Sequence, residues 1–216
     1  MRIFIPVFFL FILLSPKGFT QSINKSHGYY ENSLSMYNSG DMGQALREIN
    51  KLLAEDPDNT EGLYLRAFIY LNTGQKDKAM SDYSALLKIN PRHEGALTNR
   101  ALLNMEMEKY DLALEDLNTR VSMDKKSWQA LFDRAYCKGL KGDNAGAIAD
   151  FKNVLLLNPD YAAAYANLGF SKINALTAGG LIRPAPQQIT DACDDLRRAK
   201  SMGDTTVVEM LRIYCK

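Results

Sequence analysis

Ala45, Ala79, Ala113 and Ala147 stand 34 residues apart, and this interval constrains the fold more than any other feature of the chain. Ser33, Ala67, Ala101, Ala135 and Gly169 keep the same step, as do Ile49, Tyr83, Leu117 and Phe151. Pro57 and Pro91 are one step apart, and Pro159 lies two steps further on. Small side chains recurring beside large ones at fixed offsets mean that one packing unit is used repeatedly. A 34-residue interval is the length of a helix-turn-helix unit stacked into an all-α solenoid.

Residues 60–93 show the plan. Leu63, Ala67 and Tyr70 fall on one face of a first helix. Gly74 ends it, because glycine accepts the left-handed backbone of a helix stop. A second helix starts at Asp77 or Lys78, with Ala79, Tyr83, Leu86 and Leu87 as its apolar face, and Asn90-Pro91 closes it. Residues 26–59, 94–127 and 128–161 repeat the plan, with Gly40 and Gly142 matching Gly74. Glu108 and Lys125 replace the glycine and proline of the third unit, which predicts two less sharply defined turns. The alanines have a mechanical reason: a small side chain at a crossing lets helix axes approach to roughly 8–10 Å.

This pattern resembles the tetratricopeptide repeat (TPR). Counting from the first residue of each unit, the second carries the family's Leu63, Ala67, Tyr70, Ala79, Tyr83 and Pro91. The fourth carries Leu131, Ala135, Ala147, Phe151 and Pro159, with Lys138 where an aromatic is usual. The first departs at Met36, and the third lacks its proline. A fifth unit, about 162–202, begins with Tyr165, Leu168 and Gly169 but reaches its next matching alanine, Ala192, eleven residues late. The insertion near 178–188 holds Gly179-Gly180, Pro184 and Pro186, which rule out a continuous helix. The second helix is predicted to resume near Thr190, and a capping helix to run from about Thr205 to Tyr214 within residues 204–216. The resemblance implies one right-handed superhelix over 21–216.

The same resemblance implies a concave groove that receives peptide or helical segments. Its candidate lining is Tyr30, Tyr37, Tyr64, Phe68, Asn99, Leu102, Phe132, Tyr136 and Phe170. Most stand at positions 5, 9 and 12 of the first helices, offsets that put each set on one face. An aromatic with a polar tip suits a surface that is alternately wet and covered. The competing reading is that part of this stripe packs first helix against first helix. One TPR subtype grips a chain-terminal carboxylate through Lys and Asn residues. Asn99 matches that clamp, but Tyr64, Phe68, Gln129 and Asp133 stand where its other members belong. Arg66, Arg100 and Arg134 recur beside the packing alanines, where an arginine can bind acidic groups but more often lays its stem on the core and pairs with a neighbouring acid.

Cys193 lies ten residues before Gly203 and Cys215 twelve after it, so antiparallel helices joined at Gly203 bring the two side by side. A disulfide between them is expected, as the resemblance to exported bacterial TPR proteins also implies; the competing reading is two free thiols. Cys137 reads as a small core residue. No nucleotide, hydrolase or metalloprotease motif is present, and no cofactor, metal or catalytic residue is expected. His27 and Glu31 have ligand spacing without an evident third ligand, His93 reads as a solvated turn residue, and Asp194-Asp195 as the first turn of a helix.

Residues 1–20 read as a signal peptide. Arg2 precedes an apolar run, Ile3–Leu14, broken only by Pro6 and too short to span a bilayer comfortably. Gly18 and Thr20 suit a cut before Gln21; the other reading is an uncleaved anchor. Loss of Arg2 and Lys17 leaves 24 basic and 25 acidic residues, a balance that argues against a nucleic-acid partner. The expected protein is therefore exported, periplasmic, envelope-bound or secreted, with no membrane span after cleavage. It is a non-enzymatic scaffold for a protein or peptide segment. The alternative is a self-associating structural subunit of an envelope assembly, as a homo-oligomer.

Overall fold

The computed structural model of the chain describes residues 16–178 and 184–215, the side chains of 16–25 and of Pro186 excepted. The apolar run 3–14 and the Leu181-Ile182 pair of the insertion lie outside the described residues. Among those described are eleven α-helices and no strand. They are α1 (Pro16–Asn38), α2 (Met42–Glu55), α3 (Thr60–Asn72), α4 (Lys76–Ile89), α5 (Glu94–Glu106), α6 (Tyr110–Met123), α7 (Trp128–Lys141), α8 (Asn144–Leu157), α9 (Ala162–Thr177), α10 (Pro186–Ser201) and α11 (Val208–Tyr214). The fold is all-α, built of helix-turn-helix pairs with a short C-terminal helix. Two compact units divide it, residues 1–82 and 83–216, with the boundary inside α4.

The small-residue positions are all internal. Ser33, Ala45, Ala67, Ala79, Ala101, Ala113, Ala135 and Ala147 have no solvent exposure. In the first unit α1 meets α2 so closely that the Ser33 hydroxyl donates to the Ala45 carbonyl at 2.9 Å, which satisfies a polar group that burial would otherwise penalise. In the second unit Gly169 is needed outright. A Cβ there would lie 2.7 Å from the Leu196 side chain and 2.9 Å from the Ala192 carbonyl oxygen. Large residues fill the space beside these crossings, with Ile49, Tyr83, Leu117 and Phe151 at most 1% exposed.

The two turns expected to be loose are formed like the others. Glu108 takes the left-handed backbone, φ 57°, that Gly74 and Gly142 take in their units. The N–H of the next residue, Lys109, donates to the Asn104 carbonyl at 2.8 Å, as Asp143 does to Lys138 at 2.9 Å. The helix stop is thus set by packing and hydrogen bonding on both sides, and Glu108 is held in a conformation that costs a side-chain-bearing residue about 1–2 kcal/mol. At Lys125 the Ser127 N–H reaches the Asp124 carbonyl at 3.2 Å, and His93 reaches Asn90 at the same distance across Pro91. The Asp124 carboxylate also accepts from the Lys126 N–H, as the Asn90 side chain does from the Arg92 N–H in the turn that keeps its proline.

Four sequence expectations shift near the C-terminus and in α5. Helix α10 begins at Pro186 rather than near Thr190, because proline suits the first helical position and Gln188 Oε1 accepts from the Ala185 N–H. Asp194 and Asp195 consequently sit inside the helix, paired with Arg197 and Lys172. Helix α11 begins at Val208, since the Asp204 carboxylate accepts from both the N–H and the hydroxyl of Thr206 and folds that stretch into a turn. His93 caps α5, with Nδ1 accepting from the Ala96 N–H at 3.1 Å.

Candidate functional site

The recurrent arginines are structural. Arg66, Arg100 and Arg134 each make two parallel hydrogen bonds, from Nε and Nη2, to an aspartate sixteen residues on: Asp82, Asp116 and Asp150. Their third donor, Nη1, reaches back to Asn50, Ser84 and Asn118 respectively. Each fork ties the first helix of a pair to its own second helix and to the second helix before it. The fork geometry matches a carboxylate as no lysine could. The forks are therefore occupied and offer no free cationic face. In the last pair Leu168 replaces the arginine, and Lys172 holds Asp195 at 2.6 Å instead.

In the first unit the candidate residues Tyr37, Tyr64 and Phe68 form one aromatic group. Phe68 lies 5.6 Å from Tyr37 and 6.4 Å from Tyr64, centroid to centroid. The Tyr37 hydroxyl accepts from Asn72 at 3.1 Å. Tyr30 lines an acidic hollow of about 430 Å³ with Glu55, Asp56 and Glu61. Burial first, then Glu61 and Glu31, push its hydroxyl pKa up.

In the second unit Tyr136 and Phe170 share a cleft of about 380 Å³. Tyr136 and Leu140 on α7 form one side, Phe170 and Asn174 on α9 another, Phe151 of α8 the floor, and Met210 of α11 a wall. Asn167 and Ser171 add the polar groups. Its volume lies in the range, about 300–1,000 Å³, of sites that bury a small ligand or an anchoring side chain. Tyr136 is 44% and Leu140 45% exposed, large apolar surfaces for a chain to leave in water. Asn99 is not available to a partner in the same way: its amide donates to the Tyr83 hydroxyl at 2.9 Å. Phe132 is a packing residue, 5.5 Å from Phe151 and 4.9 Å from Tyr161. Leu102 is 47% exposed and lies outside the cleft.

Sequence reasoning missed Leu140 and Asn174, which lie one helical turn beyond Tyr136 and Phe170, and Met210, which no repeat position marks. Next to Phe151 in the chain, Asp150 accepts from Arg134 and from Lys138, the residue that stands where an aromatic is usual. Burial raises the Asp150 carboxyl pKa, but these two cations outweigh it and hold it below the usual range. Cys137 is fully buried, its thiol 3.7 Å from the Tyr110 carbonyl, and burial pushes its pKa up to about 11, so it is no nucleophile. Cys193 and Cys215 are bonded to each other. Among the described residues no three His, Cys, Asp or Glu side chains converge as a metal site would require, and no helix is long and apolar enough to cross a membrane.

Residues 37–97 match the family model of the tetratricopeptide repeat. No curated protein sequence matches the chain. Among solved structures, one of YrrB, described as a TPR protein with an unusual peptide-binding site, aligns at a TM-score of 0.73 and 17% identity, covering 91% of this chain and 96% of its own. MamA from Desulfovibrio magneticus RS-1, residues 41 to the end, aligns at 0.72 and 18%, covering 82% and 94%. A further MamA structure, from AMB-1, aligns at 0.67 and 18%, covering 86% and 97%. At these identities the likeness is one of fold. Residues 37–97 thus carry the tetratricopeptide repeat, and the fold of the chain as a whole is that of tetratricopeptide repeat solenoids.

Proposed function

We propose that this protein of tetratricopeptide repeat fold is a non-enzymatic interaction scaffold that holds a segment of another protein in the α7–α9–α11 cleft. The observation that carries the reading is the pair Tyr136 and Leu140, both nearly half exposed beside an apolar hollow that Asn174 and Asn167, whose amide N–H donates to the Ala163 carbonyl, also line. An apolar anchor enters such a hollow while side-chain amides hydrogen-bond a peptide backbone, the arrangement of a peptide- or helix-in-groove site. The peptide-binding site ascribed to YrrB adds to the reading. The proposed place of action is the periplasm or cell envelope, which the charged start and short apolar run of residues 1–20 support.

A photoreactive phenylalanine analogue at Tyr136, placed in the protein in its own cells, tests the proposal. The expected result is a crosslink to a distinct protein, with none from the same analogue at Leu156, which is 81% exposed and outside the cleft. Equal products from both positions, or none from Tyr136, overturn it. Sequencing the purified protein from its N-terminus tests export: a start within a few residues of Gln21 is expected, and an intact Met1 on a cytoplasmic protein contradicts it.

A further inference from the structure

The wall that α11 gives to the cleft has few means of its own to stay in place. The helix is seven residues long, well under the roughly 12–15 at which an isolated helix becomes even marginal. None of its residues is fully buried. Val207, just before it, is fully buried, and Met210, Leu211 and Tyr214 lie only partly covered against Ile173, Leu196 and their neighbours. At the far end Cys215 is bonded to Cys193, and its carbonyl receives a long 3.5 Å contact from Arg197. The helix is thus held by one fully buried apolar residue at its start, by the partial cover of Met210, Leu211 and Tyr214, and by one covalent bond at its end. Between the buried residue and the bond stands Met210, a wall of the cleft.

We infer that the Cys193–Cys215 disulfide is a redox tether for this wall, so that its reduction loosens α11, withdraws Met210 and weakens capture in the cleft. The inference rests on the reading of the cleft as the binding site. The reductant is a dithiol. Cys193 is buried and Cys215 is part exposed, so one thiolate of the dithiol attacks the Cys215 sulfur and Cys193 leaves as a thiolate that takes a proton. The second thiolate of the reductant then attacks the mixed disulfide and releases Cys215. One dithiol becomes a disulfide and two cysteine thiols form, with two electrons and two protons transferred. Cys137, buried and with its pKa raised to about 11, takes no part.

The test uses the full chain with and without dithiothreitol, and Nile red as an uncharged apolar probe of the cleft. Reduction is expected to speed amide exchange in Leu211–Cys215 at least tenfold while leaving α7, α8 and α9 unchanged. It should weaken Nile red binding at least threefold. Met210→Ala in the oxidised protein should weaken the dye similarly, and reduction should then add little; Cys215→Ser should behave as the reduced chain does. If Tyr136→Ala leaves dye binding unchanged, the cleft reading falls, and the proposed gating with it. If Tyr136→Ala weakens the dye but reduction leaves α11 exchange unchanged, the tether falls and the cleft survives.

Discussion

Arg134 and Asp150 face each other across the α7–α8 pair through two parallel hydrogen bonds, both 2.8 Å long. Asp150 also accepts from Lys138 at 2.7 Å and is 4% exposed, so two cations depend on one buried carboxylate, one residue before Phe151 of the cleft floor.

Asp150→Asn keeps the shape and removes the charge, leaving both cations without their counter-ion. Unfolding by urea should show a loss of about 3 kcal/mol at pH 7. The sign with pH follows from the depressed carboxyl. A group with a lowered folded pKa stabilises above its unfolded value, about 3.9, and that contribution drains away as pH falls through the folded value. The stability gap between the two proteins should therefore narrow below about pH 4. A gap that is constant from pH 7 to pH 3 would show that the charge of Asp150 is not what stabilises the pair.

Glu108 holds the left-handed backbone, φ 57°, that glycine holds at the matching turns. Glu108→Gly should raise stability by about 0.5–1 kcal/mol, the relief of strain being offset in part by the greater freedom of glycine in the unfolded chain. Thermal melting of the two proteins checks it. A lower melting temperature for the variant would mean that the Glu108 side chain contributes a contact worth more than the strain.

The 34-residue interval made the helix pairs legible because small residues at helix crossings cannot vary without moving a backbone. It did not show that Glu108 would be driven into the glycine conformation, since local preference at one turn yields to packing on both sides. Asp82, Asp116 and Asp150 also keep the interval, sixteen residues after each arginine, but charge pairs leave no mark in an apolar pattern. Arg120 is the sharpest example. It occupies the position that Leu52, Leu86 and Val154 fill in other pairs, yet it is 6% exposed, pairs with Asp133 and Glu94, and leaves Nε without a partner. A reading that assigns charge to the surface places it wrongly. The near-equal spacing of Cys193 and Cys215 about Gly203 was visible, whereas Met210 joins the cleft only because the chain doubles back there.

Gly169 tests the closeness of the last crossing. Gly169→Ala puts a methyl group against the Leu196 side chain and, at 2.9 Å, the Ala192 carbonyl oxygen, a backbone atom that cannot swing aside. A destabilisation of about 1–3 kcal/mol is expected from chemical denaturation. Gly139→Ala is the control, because its nearest atoms would be 3.9 Å away and the change should be near neutral or slightly stabilising in mid-helix. Equal effects at the two sites would contradict the packing described here.

The central claim is that the α7–α9–α11 cleft captures a protein segment. Once crosslinking at Tyr136 has identified the partner, calorimetry with that partner and the Tyr136→Ala, Leu140→Asp double variant tests it most directly. Both side chains are nearly half exposed, and circular dichroism should show unchanged helix content. Interface energy concentrates in a few anchors, and the account predicts a loss of about 2 kcal/mol or more, a weakening of at least about thirtyfold. A folded double variant that binds its partner as tightly as the original protein would contradict it.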